Sequence, residues 1–152
     1  FSDHVLDRYL VMTEDGRYAG TVEFKPYVPR VSEIDRVADF HRHPLIARDP
    51  TVVAEVDKVA LLPEFRKKCI AELLSSIVNF SREKRFVYLV SLLEPVFCLA
   101  LRISFHVPMY QVAERTYYKG DDVIPVIFDM KKMYDHPEQY DWLIPREELV
   151  ME

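Results

Sequence analysis

Apolar residues recur along this chain in two periods, and the points where one gives way to the other divide it into elements. Alternating or continuous runs of apolar, β-branched and aromatic residues at 9–12, 18–24, 53–62, 86–93, 106–112 and 123–130 predict strands. Between the third and fourth runs, Pro63 breaks the strand, and Ile70, Leu73, Leu74 and Ile77 follow at spacings of three and four, which predicts a helix. A second helix is predicted over 96–103, with Pro95 in its first turn. The Asp-Gly within Thr13-Glu-Asp-Gly-Arg17 predicts a hairpin between the first two strands. Run 86–93 is apolar throughout, as expected of a buried central strand.

The connections are less regular. Residues 25–50 carry Pro26, Pro29, Pro44 and Pro50 among many charges and read as one long loop beside the pocket, with a helical turn near 32–40 that Ser32 could cap. Residues 114–122 read as a charged turn. Residues 131–152 read as a polar tail with some helical character and Trp142 as an exposed anchor. The order is strand, strand, strand, helix, strand, helix, strand, strand, an α/β (α+β) arrangement in one domain spanning residues 1–152.

Composition narrows the function classes. Apolar residues make up 49% of the chain and glycines number only three, which fits a packed core and not a disordered chain. A net charge of -5 argues against a general nucleic-acid binder. No apolar run is long enough to span a bilayer. Cys69 and Cys98 lack metal-ligand spacing and read as core residues in a reducing, cytoplasmic compartment, with a catalytic thiol as the alternative. His41 and His43 without further placed ligands read as loop surface, so no metal is expected. Phe1 is not an initiator, and the natural protein is expected to extend further toward its N-terminus.

Two stretches carry candidate chemistry. Arg66, Lys67 and Lys68 fall in the first turn of the first helix, where unpaired backbone N–H groups and the helix dipole favour anions; the alternative is a solvated basic face. Glu55 and Asp57 share one face of the third strand by alternation, so the two carboxylates would couple and raise one pKa. The alternative for Glu55 is an exposed carboxylate paired with Lys58 or another cation.

The order of elements resembles the GCN5-related N-acetyltransferase (GNAT) superfamily, whose signature runs strand, pyrophosphate loop, helix. Arg66-Lys-Lys-Cys-Ile-Ala71 is similar to that loop, with Cys69 where glycine is usual. Glu55-Val-Asp-Lys-Val-Ala-Leu61 resembles the Glu-Val-Ser-Arg strand of the autoinducer-synthase-like branch, which holds acyl-homoserine lactone synthases, N-acyl amino acid synthases and exosortase-associated acyltransferases. Gly20-Thr-Val22 resembles the Gly-Thr-Val-Arg strand of that branch, with Glu23 replacing the arginine. Leu93-Glu-Pro95, Leu101-Arg-Ile-Ser-Phe105, Tyr118-Lys-Gly120 and Ile124-Pro125 resemble its later segments.

The resemblance implies a mixed, mostly antiparallel twisted sheet flanked by helices around a strand–helix–strand–helix unit, with the first strand and first two helices of the family preceding Phe1. It implies an acyltransferase that moves an acyl group from acyl-CoA or an acyl carrier protein, each a 4'-phosphopantetheine thioester, to a small amine acceptor such as an amino acid. An acetyl-CoA-dependent N-acetyltransferase and a catalytically silent binding module are the alternatives. Glu55 is then the candidate general base with Asp57 beside it, and backbone groups of Ala60, Leu61 and Leu62, just after a bulge, hold the thioester carbonyl. Arg66, Lys67, Lys68, Cys69, Ile70 and Ala71 form the cradle. The tyrosine that many acetyltransferases carry as an acid maps to Ala100 and is missing. A basic patch of Arg66, Lys67, Lys68, Arg82, Lys84 and Arg85 would steer an acidic carrier protein. A homodimer is left open.

Overall fold

The computed structural model describes residues 6–12, 15–62, 64 and 66–144. Among them seven strands form one sheet: β1 Asp7–Met12, β2 Tyr18–Pro26, β3 Val53–Leu61, β4 Tyr88–Leu93, β5 Met109–Gln111, β6 Thr116–Tyr118 and β7 Asp121–Asp129. The helices are α1 Pro44–Arg48, α2 Arg66–Lys84, α3 Pro95–Ile103 and α4 Met130–Asp135. Strands run in the order β1-β2-β3-β4-β7-β5, with β6 also on β7. Of these pairings only β3 with β4 is parallel, because α2 carries the chain back across the sheet before β4 begins. This is the expected mixed, mostly antiparallel sheet flanked by helices. Pro63 and the Thr13-Glu14 half of the first turn lie outside the described residues.

Each face of the sheet is covered. Behind it, α2 buries Leu73, Ile77 and Phe80 against Val22, Phe24 and Val56, and the Phe24 and Phe80 rings stack at 3.8 Å. In front, the long connection folds back over the sheet: Tyr27, Ile34, Phe40 and Ile46 pack on Val53, Val90 and Ile127. Residues 25–50 thus contain α1 and two 3-10 turns, Glu33–Arg36 and Phe40–Arg42, where the sequence suggested one helical turn. Ser32 does not cap the first of them; its hydroxyl accepts from the Val28 N–H at 2.8 Å.

Helix ends follow local chemistry. The Glu94 carboxylate accepts from the N–H groups of Val96 and Phe97, both at 3.1 Å, and starts α3. Both long helices stop on a residue in the left-handed region, Arg85 (φ 63°) after α2 and His106 (φ 53°) after α3, and the next N–H reaches back to Ser81 or Leu101. His106 is therefore an exposed helix stop. The predicted turn at 114–122 contains β6, joined to β7 through Lys119 and Gly120, both with positive φ.

The parallel junction is short. Only Val53↔Tyr88, Ala54↔Leu89 and Glu55↔Val90 pair, after which the strands part. The buried Ser91 hydroxyl then donates to the Val56 carbonyl at 3.0 Å, at the point where the ladder stops. Ser91→Ala leaves that carbonyl without this donor and should cost about 1–3 kcal/mol, read as a lower midpoint in urea unfolding with an unchanged slope.

Candidate active site

The site is built around that parting of the strands. Along β3, Val53 packs with the front cluster while Ala54 and Val56 belong to the rear core, so alternation turns Glu55 and Asp57 to the front. The pairing with β2 then shifts: Glu23 opposes Asp57 but Thr21 opposes Ala60, which leaves one extra residue on β3. This is a β-bulge, and beyond it Val59 faces the rear. One strand supplies carboxylates to the front and an apolar wall to the back.

In front, Glu55 sits among acids. Burial first, and then the neighbouring Asp57 carboxylate, push its pKa up from 4.5 to about 7, against a downward pull from Lys25, with Glu33 and Asp35 adding to the rise. The Lys25 ammonium lies 2.8 Å from Asp57 Oδ2, holding that carboxylate beside Glu55. Among the described residues no cation is paired with Glu55 itself; the Lys58 side chain is not among those described. One strand further out, Glu23 is buried and bound by Arg8 at 2.7 Å. The position where the resemblance expects an arginine thus holds an acid that has recruited one from β1.

Residues that sequence reasoning passed over complete the front. Asp35 accepts from the Tyr27 hydroxyl at 3.0 and 2.9 Å and from the Arg30 N–H at 2.7 Å. Burial, followed by Asp35, pushes the Tyr27 phenol well above its usual range. His41 Nδ1 lies 3.3 Å from Asp35 Oδ2 without hydrogen-bond geometry, and its side chain is 14% exposed, so it is not loop surface. His43 caps α1, its Nδ1 accepting from Leu45 N–H at 3.2 Å. Among the described residues no group of three His, Cys, Asp or Glu is placed to hold a metal ion. Glu33 accepts from the Tyr118 hydroxyl and from Lys119 Nζ, tying the front loop to the β6–β7 turn. The one signal for this cluster was the density of acids in a proline-rich loop, and it does not reveal their partners.

Behind the sheet lies a small apolar pocket, partly open to solvent. Val59 of β3 and Leu93 of β4 line it where the strands part; Leu74 and Ile77 of α2 and Phe97 and Leu101 of α3 form its sides. The backbone of Arg66, Lys67 and Lys68 forms the first turn of α2, as expected for the cradle. Cys69 turns its side chain into the rear core. Ile70 is buried beside it and Ala71 is half-buried. Ala60 and Leu61 lie just past the bulge, and the Leu62 N–H already donates to the Ala19 carbonyl at 2.8 Å, which leaves it poorly placed to serve a carbonyl from outside. Arg82, Lys84 and Arg85 stand at the far end of α2, about 24 Å or more along the helix from Arg66 at 1.5 Å per residue, so the six basic residues do not form one patch. Cys98 is buried 3.8 Å from Met109 sulfur, and burial pushes its thiol up, the wrong direction for a nucleophile. Among the described residues no helix is long and apolar enough to cross a membrane.

No family profile and no curated protein sequence matches the chain. Solved structures do. TofI in a ternary complex with an inhibitor and MTA aligns with a TM-score of 0.63 at 16% identity, over 81% of this chain and 63% of that one. BjaI, a CoA-dependent acyl-homoserine lactone synthase with SAM and isopentyl-CoA, gives 0.60 at 13% identity, over 90% and 67%. FeeM, an N-acyl amino acid synthase from uncultured soil microbes, gives 0.58 at 14% identity, over 78% and 64%. The chain thus spans about two thirds of the length of these proteins. At such identities the likeness is one of architecture: this chain has the GCN5-related N-acetyltransferase fold in the form shared by acyl-homoserine lactone synthases and an N-acyl amino acid synthase.

Proposed function

We propose that the protein is an N-acyltransferase that moves an acyl group from a thioester, acyl-CoA or an acylated carrier protein, to the amine of a small acceptor such as an amino acid. The observation that carries this reading is that a half-buried carboxylate on the front face and an apolar pocket on the rear face both lie beside the parting of β3 and β4. A thioester threaded there has its alkyl chain in the pocket and its carbonyl between the strands. The amine arrives from the front. Its nitrogen attacks the carbonyl carbon, Glu55 takes the proton directly or through a water, and the carbon–sulfur bond breaks to release the thiolate. With a pKa near 8.5, that thiol leaves without an acid, so the chemistry does not need the tyrosine missing at Ala100.

Asp57 and Lys25 act on Glu55 through charge. Of the three backbone N–H groups past the bulge, that of Leu61 is the candidate for polarising the carbonyl, because those of Leu62 and, two residues earlier, Ala60 face β2. The open first turn of α2, from Arg66 to Lys68, is suited to the phosphates of the donor. The apolar lining suits the alkyl part of an acyl donor. In this reading Cys69 and Cys98 remain buried thiols, as a reducing cytoplasm would keep them.

Three outcomes test the reading. In native mass spectrometry the protein should retain a long-chain acyl-CoA or an acylated carrier protein in preference to acetyl-CoA; retention of no thioester at all would favour the silent binding module. Glu55→Gln should lower turnover by about a hundredfold or more. It should also be the more stable protein above pH 7: in the wild type the unfolded carboxyl ionises near 4.5 and the folded one near 7, so stability falls across that window and stays lowered above it. The advantage is on the order of 2 kcal/mol, read as a higher Tm at pH 8 and little difference at pH 4. Finally, kcat/KM should fall below about pH 7. Removing the Asp57 charge with Asp57→Asn should move that limb to lower pH, and removing the ammonium with Lys25→Met should move it to higher pH.

A further inference from the structure

The front of the opening is spanned by a stretch of chain that owes little to the sheet beneath it. The long connection leaves β2 at Pro26, opposite Ala54 and thus at the paired end of the β3–β4 junction. Tyr27 and Ile34, 6% and 2% exposed, fix it on the front cluster. Between these anchors the chain stands outward as a tip, residues 28–33, whose Val28 and Val31 are 46% and 71% exposed and belong to neither core cluster. The tip is closed on itself. Val28 N–H donates to Ser32 Oγ at 2.8 Å, the N–H groups of Val31 and Ser32 donate to the Val28 carbonyl at 3.0 and 2.9 Å, and Arg30, at φ 67°, donates its N–H to Asp35 at 2.7 Å. A compact loop of this kind moves as one piece.

Among the described residues, the tip is tied outward at Glu33, which accepts from the Tyr118 hydroxyl and pairs with Lys119 Nζ at 2.8 Å. The far side of that tie is firm. Lys119 and Gly120 are the two-residue turn of the β6–β7 hairpin, and Arg115 holds Asp122 across it at 2.8 Å. Leu93 opposes Ile124, so this turn lies beyond the end of β4, where β3 and β4 have already parted. The tip therefore runs from the paired end of the junction to its open end and crosses the opening in front, near enough for the Glu33 charge to act on Glu55. The tie is weak, because the Glu33 and Lys119 side chains are 51% and 68% exposed and such a pair breaks and re-forms readily. We propose that residues 28–33 are a lid over the front of the opening, latched by Glu33 to Tyr118 and Lys119 and lifted when that latch breaks. What the lid admits, an amine acceptor, rests on the acyl-transfer reading; the lid itself is a property of the loop.

The test needs no turnover. Glu55→Cys places a thiol beneath the lid, while the native Cys69 and Cys98 are buried. Its labelling is timed with two neutral reagents, small iodoacetamide and bulky N-pyrenylmaleimide, each relative to a free thiol, so that the ratio of bulky to small rates reports entry and not the reactivity of the thiol. In the Glu55→Cys protein the bulky reagent should lag. Adding Tyr118→Phe with Lys119→Met should raise the ratio by about two- to fivefold, the change in open population expected when an exposed charged tie is lost. Glu33→Gln, which leaves the hairpin untouched, should raise it as well and serves if the first variant does not fold. Arg115→Gln, which cuts the neighbouring pair without touching the tip, should leave it unchanged. Equal entry of both reagents before the latch is cut overturns the lid, as does a ratio that stays put in the latch variants or rises as much in Arg115→Gln. Should the ratio rise as expected while the unaltered protein consumes no thioester, the lid stands and the acyl-transfer reading falls; should thioesters be consumed while the ratio stays put, the lid falls and the acyl-transfer reading stands.

Discussion

Three pairs of residues hold β3 to β4, and the two-sided character of the molecule depends on the ladder ending there. A parallel pair that continued would seal the middle of the sheet and keep its front and rear apart. Because it stops at Glu55 and Val90, with the Ser91 hydroxyl serving the next carbonyl, the sheet has an opening whose edges remain hydrogen-bonded. The acid of Glu55 on one side and the apolar pocket on the other both lie beside this opening.

The other constraint is dryness. The front of the sheet is covered by a connection that carries its own small core, so Glu55 is withdrawn from water and shares its surroundings with Asp57, Glu33 and Asp35. Withdrawal and like charge act in the same direction, and the ammonium of Lys25 restrains them. The balance leaves a carboxyl whose pKa lies near neutrality, at about 7.

What could be read from the sequence followed the range of the interactions involved. Strands and helices set by period, such as β3, α2 and α3, were legible within a few residues, and so was the shared face of Glu55 and Asp57. Bonds between distant segments were not. Nothing near Trp142 announces that Ile144, two residues on, bonds to Ser75 and Asn79, sixty to seventy residues earlier, so a half-buried indole that lines the rear pocket reads as an exposed anchor. His41 and the acids of residues 25–50 were misjudged for the same reason: a proline-rich charged stretch looks solvated until it is known to fold onto a sheet. Six basic residues that looked like one surface proved to be the two ends of a helix.

The bulge on β3 has a genetic corollary. A bulge absorbs one residue without exchanging faces downstream: loss of the codon for Lys58 would restore unbroken alternation with Glu55 and Asp57 still in front and Val59 and Leu61 still behind. At that one point the strand can change in length by a residue, whereas a codon lost elsewhere along it would exchange its two faces.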